Sequence, residues 1–168
     1  IYEVVVNCSN YNPDLETHDR YEPIRDRYQE GSQERALDKI NHNLLDCFVK
    51  LYPPVWLEDG ISKQAMDKFG ILFSIAQNKI VIPHYNENGN LVGIRGRALD
   101  DWEVENVGKY TPVKIEGKFY AHPLSLNLYG LNFNKDNIRK TGICYIFESE
   151  KSVLQFESFD RPNCAVAI

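Results

Sequence analysis

Hydrophobic positions in the first half of the chain follow a helical period in two places. From residue 32 to residue 51 apolar side chains recur at three- and four-residue steps, with Ser32 as N-cap and Pro53-Pro54 as a stop, which predicts a helix. A second, shorter helix is predicted after Ser62, which can cap it, and Gly70 suits the position just past its end. The apolar positions of the two helices are Leu37, Ile40, Leu44, Leu45, Phe48, Leu51, Ala65, Met66 and Phe69.

The period changes to two after residue 78. Residues 79–85 and 90–99 alternate and flank Asn88-Gly89, a strong signal for a hairpin turn. In the second strand of this hairpin Arg95 and Arg97 stand two residues apart. They therefore point to the same face, about 7 Å apart along the strand.

The remaining segments predict a strand at the start and a β-α-β unit at the end. Alternating apolar residues at positions 2, 4 and 6 indicate one short strand, after which the chain up to residue 31 is acidic and irregular. Further along we predict an irregular stretch at 100–127, a helix at 134–140 capped by Asn134, a strand at 143–147, a helix at 151–159 and a strand at 164–168. In such a unit functional groups sit at the carboxyl ends of the strands, where Glu148 lies.

Residue types that often mark cofactor sites have structural interpretations here. Gly93 and Gly96 match neither a dinucleotide fingerprint nor a P-loop, and as strand glycines they leave the backbone open to a close neighbour. His84 and His122 have no partner at metal-ligand spacing, so we interpret them as structural.

Composition fits a folded soluble domain. The 168 residues are 43% hydrophobic and 26% charged, which argues against disorder. Apolar runs reach only about five residues, too short for a membrane span. The cysteines, at positions 8, 47, 144 and 164, form no C-x-x-C pair. They predict reduced, mostly buried thiols of a cytoplasmic protein without a zinc site.

The net charge of −5 is unevenly distributed. Residues 1–78 carry −5, residues 79–140 carry +2 and residues 141–168 carry −2. The middle segment can present a basic face to phosphate, although a mixed, solvated surface fits the same numbers. Because the chain starts at Ile1 rather than Met and ends on an apolar strand, we expect it to be an excised fragment of a longer protein.

Seven short blocks of the sequence form a recognisable series: residues 56–62, 68–71, 79–83, 88–97, 109–110, 128–131 and 146–153. In this order they resemble the catalytic core of bacterial-type (DnaG-like) DNA primases. Each is weak alone, but their shared order and spacing make the resemblance strong. The Glu-x-Glu-Lys-Ser form of residues 148–152 is more similar to the primase-type proteins of phages and mobile elements.

The resemblance implies an α+β fold and a primase activity. A mixed helical and β N-terminal subdomain of the primase core would be followed by the first β-α-β unit of a Toprim (α/β) subdomain. The predicted divisions are an irregular segment at 1–31, the N-terminal subdomain at 32–140 and a truncated Toprim subdomain at 141–168. The implied parent protein is a nucleotidyltransferase, a DNA-directed RNA polymerase that makes short RNA primers during DNA replication. We expect the fragment alone to be inactive.

The resemblance also implies roles for individual residues. Glu148 matches the catalytic glutamate that holds metal, while Arg97, Lys109 and Tyr110 match positions near the template or incoming nucleotide. Arg95, on the same strand face as Arg97, is also predicted to bind nucleic acid or nucleotide. We expect Mg²⁺ or Mn²⁺ in the complete enzyme, with the other ligands outside this chain, and no metal bound by the fragment itself. The implied partners are single-stranded DNA, ribonucleoside triphosphates and a replicative helicase, with no membrane.

Some positions depart from the family pattern. Ser149 stands at a usual Gly, Ser152 at an Asp of the housekeeping enzymes and Arg95 at a frequent Gly. Thr111-Pro112 replaces Asn-Ser after the Lys-Tyr pair, and no Cys/His zinc module precedes the core.

Other interpretations stay open at this point. Glu148 can cap the following helix, the two arginines can be solvated strand residues, and Lys109-Tyr110 can be plain loop residues. At the level of function, the alternative is a non-catalytic DNA-binding or protein-interaction domain with a primase-like fold. Another Toprim enzyme is less favoured, because the blocks before residue 141 do not resemble one.

Overall fold

The computed structural model describes residues 4–7, 37–159 and 162–168 of the chain. Its strands are β1 (Val4–Asn7), β2 (Leu72–Ser74), β3 (Lys79–Tyr85), β4 (Leu91–Ala98), β5 (Tyr110–Pro112), β6 (Lys114–Ile115), β7 (Lys118–Phe119), β8 (Ile143–Phe147) and β9 (Ala165–Ala167). Its α-helices are α1 (Pro54–Glu58), α2 (Lys63–Lys68), α3 (Asp101–Asn106), α4 (Leu131–Thr141) and α5 (Glu150–Glu157). Short 3-10 turns lie at His42–Cys47 and Leu124–Leu126.

The strands form two sheets and a small hairpin. An antiparallel sheet has the order β2-β3-β4-β5, and a second sheet has the order β1-β8-β9, in which β8 and β9 run parallel. Strands β6 and β7 pair as a separate hairpin. The predicted hairpin of β3 and β4 and the predicted β-α-β unit of β8, α5 and β9 are confirmed, and so is the α+β class. The division into subdomains and the Toprim assignment stay predictions.

Two hydrophobic cores cover the opposite faces of the antiparallel sheet. In β3 the side chains of Ile80 and Ile82 belong to the first core and that of Val81 to the second, as strand alternation requires. The first core contains Trp56, Ile61, Ala65, Met66, Phe69, Ile71, Ile80, Ile82, Tyr129, Val153, Leu154, Phe156, Ala165 and Ala167. The second contains Leu45, Val81, Leu91, Ile94, Val113 and Ile115. The first core thus joins the antiparallel sheet to the β-α-β unit.

The helix predicted for residues 32–51 is wrong over residues 37–51, and its proposed cap, Ser32, lies outside the described residues. Only the 3-10 turn forms there. Long-range pairing replaces the helical hydrogen bonds: Val49 exchanges two backbone bonds with Phe73, and the Ile40 N–H donates to the Leu91 carbonyl at 2.8 Å. The apolar spacing is still used, because the side chains at positions 40, 44 and 48 pack against the second core.

Helix boundaries agree with the sequence in one place and differ in others. Ser62 caps α2 as predicted, its hydroxyl accepting from the Ala65 N–H. Helix α4 begins three residues before the predicted cap, so Asn134 is an interior, buried residue, and its amide donates to the Ala165 carbonyl at 2.8 Å. The stretch predicted as irregular contains α3, capped by Asp100, and strands β5 to β7.

Helix lengths and cysteine exposure can be compared with the expectations from composition in the described part of the chain. No helix there is long and apolar enough to span a bilayer. Cys47 and Cys164 are free thiols, but Cys47 is exposed, contrary to the expectation of mostly buried cysteines.

The strand glycines of β4 accept close neighbours. A Cβ placed on Gly93 would lie 2.0 Å from Nδ1 of His122, and one on Gly96 would lie 2.8 Å from Cγ2 of Val113. Real Cβ atoms do not approach ring or methyl atoms so closely, so a side chain at either position would force its neighbour away. This is the close approach that the strand glycines predicted.

We therefore expect Gly93→Ala to destabilise the protein by about 1–3 kcal/mol, the usual cost of overpacking a filled core. Urea unfolding of the purified chain measures this. The double variant Gly93→Ala/His122→Ala supplies the control, because removing the imidazole should recover most of the loss caused by the added methyl group. Equal free energies of unfolding for Gly93→Ala and the wild type would contradict the close packing.

Candidate functional site

A buried carboxylate connects the β-α-β unit to the antiparallel sheet. The Glu150 side chain is only 4% exposed, and its Oε1 atom accepts from His84 Nε2 at 3.1 Å and from an Arg95 guanidinium nitrogen. Glu150 is the first residue of α5, just after the N-cap Ser149, where the helix dipole favours a negative charge. Burial by itself would raise the pKa of Glu150, but the hydrogen bond from His84 and the charge of Arg95 hold it below its ordinary value.

The two histidines interpreted as structural lie side by side next to this carboxylate. The ring centroids of His84 and His122 are 4.7 Å apart, and the Tyr129 ring is 4.9 Å from that of His84. Burial lowers the pKa of His84, and burial, followed by the electrostatic interactions with His84 and Arg95, lowers the pKa of His122 to about 4. Both imidazoles are therefore neutral at pH 7, and Arg95 is the permanent charge that faces Glu150.

Arg95 and Arg97 flank one aromatic ring. Their Cζ atoms lie 5.2 Å and 5.9 Å from the ring centroid of Tyr110, within the range of cation–π attraction. Sheet register explains the grouping, because Arg97 in β4 pairs directly with Tyr110 in β5. Burial is the main reason that the pKa of Tyr110 is raised, which keeps the phenol neutral.

The two arginines differ in their polar partners. Arg95 is bonded to Glu150, whereas Nε and one terminal nitrogen of Arg97 are buried without an acceptor among the described residues. A guanidinium is always charged, so buried N–H groups without an acceptor are costly. Arg97 is consequently the arginine of this cluster that lacks a carboxylate partner among the described residues.

The other predicted site residues lie at the surface. Lys109 is exposed just before β5, and its carbonyl accepts from the Ala98 N–H at 3.0 Å. Glu148 is exposed just after β8. The structure thus brings Arg95, Arg97 and Tyr110 together, while no hydrogen bond or ion pair in the described part of the chain joins Glu148 or the Lys109 side chain to them.

The metal prediction has no complete donor set within the described ranges. No group of three or more His, Cys, Asp or Glu side chains there could hold a metal ion. Magnesium needs several oxygen ligands, and Glu148 supplies one carboxylate. The described residues alone therefore do not fit a Mg²⁺ or Mn²⁺ site, and the metal stays a prediction for a complete enzyme.

Sequence reasoning missed the carboxylate at the centre of this cluster. Glu150 stood in the quoted Glu-x-Glu-Lys-Ser block, and its place in the first turn after Ser149 was a signal for an N-terminal helix residue. Its partners could not be found in the same way, because Arg95 lies 55 residues and His84 66 residues upstream. Lys151, the next residue of α5, forms an ion pair with Asp59 at 2.6 Å.

Comparison with known proteins places the fold. No family model matches the chain. The SPbeta prophage-derived uncharacterized protein YorJ of Bacillus subtilis (strain 168) is 39% identical over 135 residues, which cover 77% of this chain and 36% of that protein. The solved primase of Aquifex aeolicus, comprising its zinc-binding and RNA polymerase domains, superposes with a TM-score of 0.60 at 17% identity, over 74% of this chain and 40% of that one.

The chain therefore has the fold of part of a DnaG-type primase catalytic core, and its curated relative is a prophage protein. This confirms the resemblance at the level of fold. The chain spans about a third of the length of the prophage protein it matches and less than half of the solved primase.

The histidine pair predicts a loss of stability in weak acid. The folded-state pKa of His122 is about 4 against 6.5 in the unfolded chain, so between these values the unfolded chain takes up a proton that the folded protein excludes. The stabilisation is complete above pH 6.5 and is lost as the pH falls toward 4. The contribution of Glu150 has the same sign but starts to be lost only below pH 4.5, the ordinary pKa of a glutamate in the unfolded chain.

We expect the midpoint of thermal unfolding to fall between pH 6.5 and pH 4.5, and to fall less in His122→Asn. Calorimetry across this pH range measures it. The exposed His42 supplies the control, since His42→Asn should retain the wild-type dependence. If the unfolding midpoint of His122→Asn depended on pH as steeply as that of the wild type, the loss of stability in weak acid would not come from His122.

Proposed function

We propose that this chain is the template-binding part of a phage-type DNA primase, a nucleotidyltransferase that makes RNA primers on single-stranded DNA. The observation that carries the proposal is the Arg97 guanidinium, which is charged, half-buried and short of acceptors within the described residues. The fold shared with the Aquifex aeolicus primase supports it. Ribonucleoside triphosphates and a replicative helicase belong to the same proposal as partners of the whole protein.

A backbone phosphate is the anion that suits Arg97. Phosphate oxygens accept charge-assisted N–H bonds from a guanidinium, and the Arg97 guanidinium has two nitrogens without an acceptor among the described residues. Arg97 is held in place by the Tyr110 ring at 5.9 Å and by its strand pairing with Tyr110. A side chain fixed in this way loses little freedom on binding. Lys109, exposed next to Tyr110, would add a second, more flexible phosphate contact.

Glu148 would contribute one carboxylate to a metal site of the complete enzyme. Its exposure at the carboxyl end of β8 supports this role, because a metal ligand must be reachable by solvent and phosphate. Magnesium would need further oxygen ligands beyond those described, so no catalytic step is assigned to this chain.

A non-catalytic DNA-binding or protein-interaction domain is the second candidate. The acidic first 78 residues, with a net charge of −5, and Ser149 at a usual glycine position favour it. Both candidates use the same arginine if DNA is bound, so a polymerisation assay is needed to separate them.

Arg97→Ala should weaken binding of single-stranded DNA and reduce the salt dependence of log K by about 0.7, the effect of losing one phosphate contact. Fluorescence anisotropy with a labelled oligo(dT) over a series of KCl concentrations measures both. Arg139→Ala is the matched control, because Arg139 is 75% exposed near the end of α4 that precedes β8. Unchanged affinity and slope in Arg97→Ala would exclude the phosphate contact.

In a primer-synthesis assay with a single-stranded template, ribonucleoside triphosphates and Mg²⁺ or Mn²⁺, we expect no product from the 168-residue chain. One carboxylate cannot replace the several oxygen ligands that the metal requires. Primers that form with the wild type and disappear with Glu148→Gln would overturn this expectation.

A further inference from the structure

The arginines of β4 are neighbours on one face, yet only one has a built-in anion. Arg95 is 22% exposed and donates to the buried carboxylate of Glu150. Arg97 has two buried nitrogens with no acceptor in the described part of the chain. Two like charges beside the same Tyr110 ring would otherwise repel each other and compete equally for phosphate.

We propose that Glu150 acts as an internal anion that pairs with Arg95 and keeps it from phosphate, so that Arg97 is the arginine of β4 that binds the template phosphate. This inference rests on the proposed function, because it concerns the same nucleic-acid surface. The anion that pairs with Arg95 is thus part of the protein, and β4 contacts the template phosphates through one arginine rather than two.

Glu150 is held too firmly for a phosphate to replace it easily. The oxygen that accepts from Arg95 also accepts from His84 Nε2 at 3.1 Å, and the residue is fixed in the first turn of α5. If a phosphate took over Arg95, the carboxylate would stay buried and lose the one permanent counter-charge that the described residues give it, since His84 is neutral at pH 7. Leaving one ion of a buried pair unpaired is strongly unfavourable.

The Glu150–Arg95 ion pair also links the strand that carries Arg97 to the segment that carries Glu148. Glu150 belongs to the β-α-β unit and lies two residues after Glu148, whereas Arg95 belongs to the sheet that carries Arg97. This ion pair therefore leaves Arg97 as the arginine available to phosphate and joins β4 to the loop that contains Glu148.

Glu150→Gln tests the proposal in the 168-residue chain, because glutamine keeps an acceptor for His84 but removes the charge. We expect Arg95 to become available to phosphate. Binding of labelled oligo(dT) should tighten at low salt, and the slope of log K against log [KCl] should steepen by about 0.7. Adding Arg95→Ala should return the slope to the wild-type value.

Two matched variants separate this from a general loss of negative charge. Arg95→Ala in the wild-type background should leave the slope unchanged, because Arg95 is already occupied. Glu105→Gln removes an exposed carboxylate of α3 and should not give a gain that depends on Arg95. Circular dichroism melts establish that each variant is folded at the temperature of the binding experiment.

The outcomes distinguish this inference from the proposed function. An unchanged slope in folded Glu150→Gln, or a decrease in Arg95→Ala equal to that in Arg97→Ala, would overturn the masking role while leaving DNA binding intact. If neither the wild type nor Glu150→Gln binds oligo(dT), both proposals fail. Binding that appears only in Glu150→Gln and vanishes on adding Arg95→Ala would support the masking role and refute the role of Arg97.

Discussion

A buried carboxylate oxygen, Oε1 of Glu150, makes a directional contact between the β-α-β unit and the antiparallel sheet. The first core around it is mainly hydrophobic, and apolar contacts set a distance between elements without fixing their register. The hydrogen bonds from His84 in β3 and Arg95 in β4 supply that register, because each requires a donor at one position of its strand. The strand hairpin and the start of α5 are thereby held as one unit.

Strand alternation explains why the candidate site borders the first core. Ile80 pairs with Arg97 and Ile82 pairs with Arg95, so the side chains of each pair share a face of the sheet. On the β3 side, this face carries apolar side chains of the first core. On the β5 side, it carries the Tyr110 ring and the two guanidinium groups. Both arginines are therefore only partly exposed, since their face of the sheet borders the first core.

Local signals predicted the elements whose causes are local. The Asn88-Gly89 turn, the Ser62 cap and the β-α-β unit each depend on a few adjacent residues, and all three form. The helix prediction for the segment before Leu51 was wrong for the opposite reason. The apolar spacing there serves packing on the second core as well as it would serve a helix, and it does not reveal that Val49 pairs with Phe73. The prediction that Asn134 caps a helix was wrong for a similar reason. Asparagine often caps helices, but here its amide donates a hydrogen bond to the distant carbonyl of Ala165.

The candidate site divides in the same way. A two-residue spacing was enough to predict that Arg95 and Arg97 share a face, but their different partners depend on Glu150, which folding brings from the far end of the chain. Between Glu148 and Glu150 the backbone changes from the end of a strand to the first turn of a helix, and one carboxylate becomes exposed while the other turns into the protein. Two acids that look equivalent in sequence are therefore chemically unlike: the exposed one is free to meet a cation from solution, and the buried one already has its cation in Arg95.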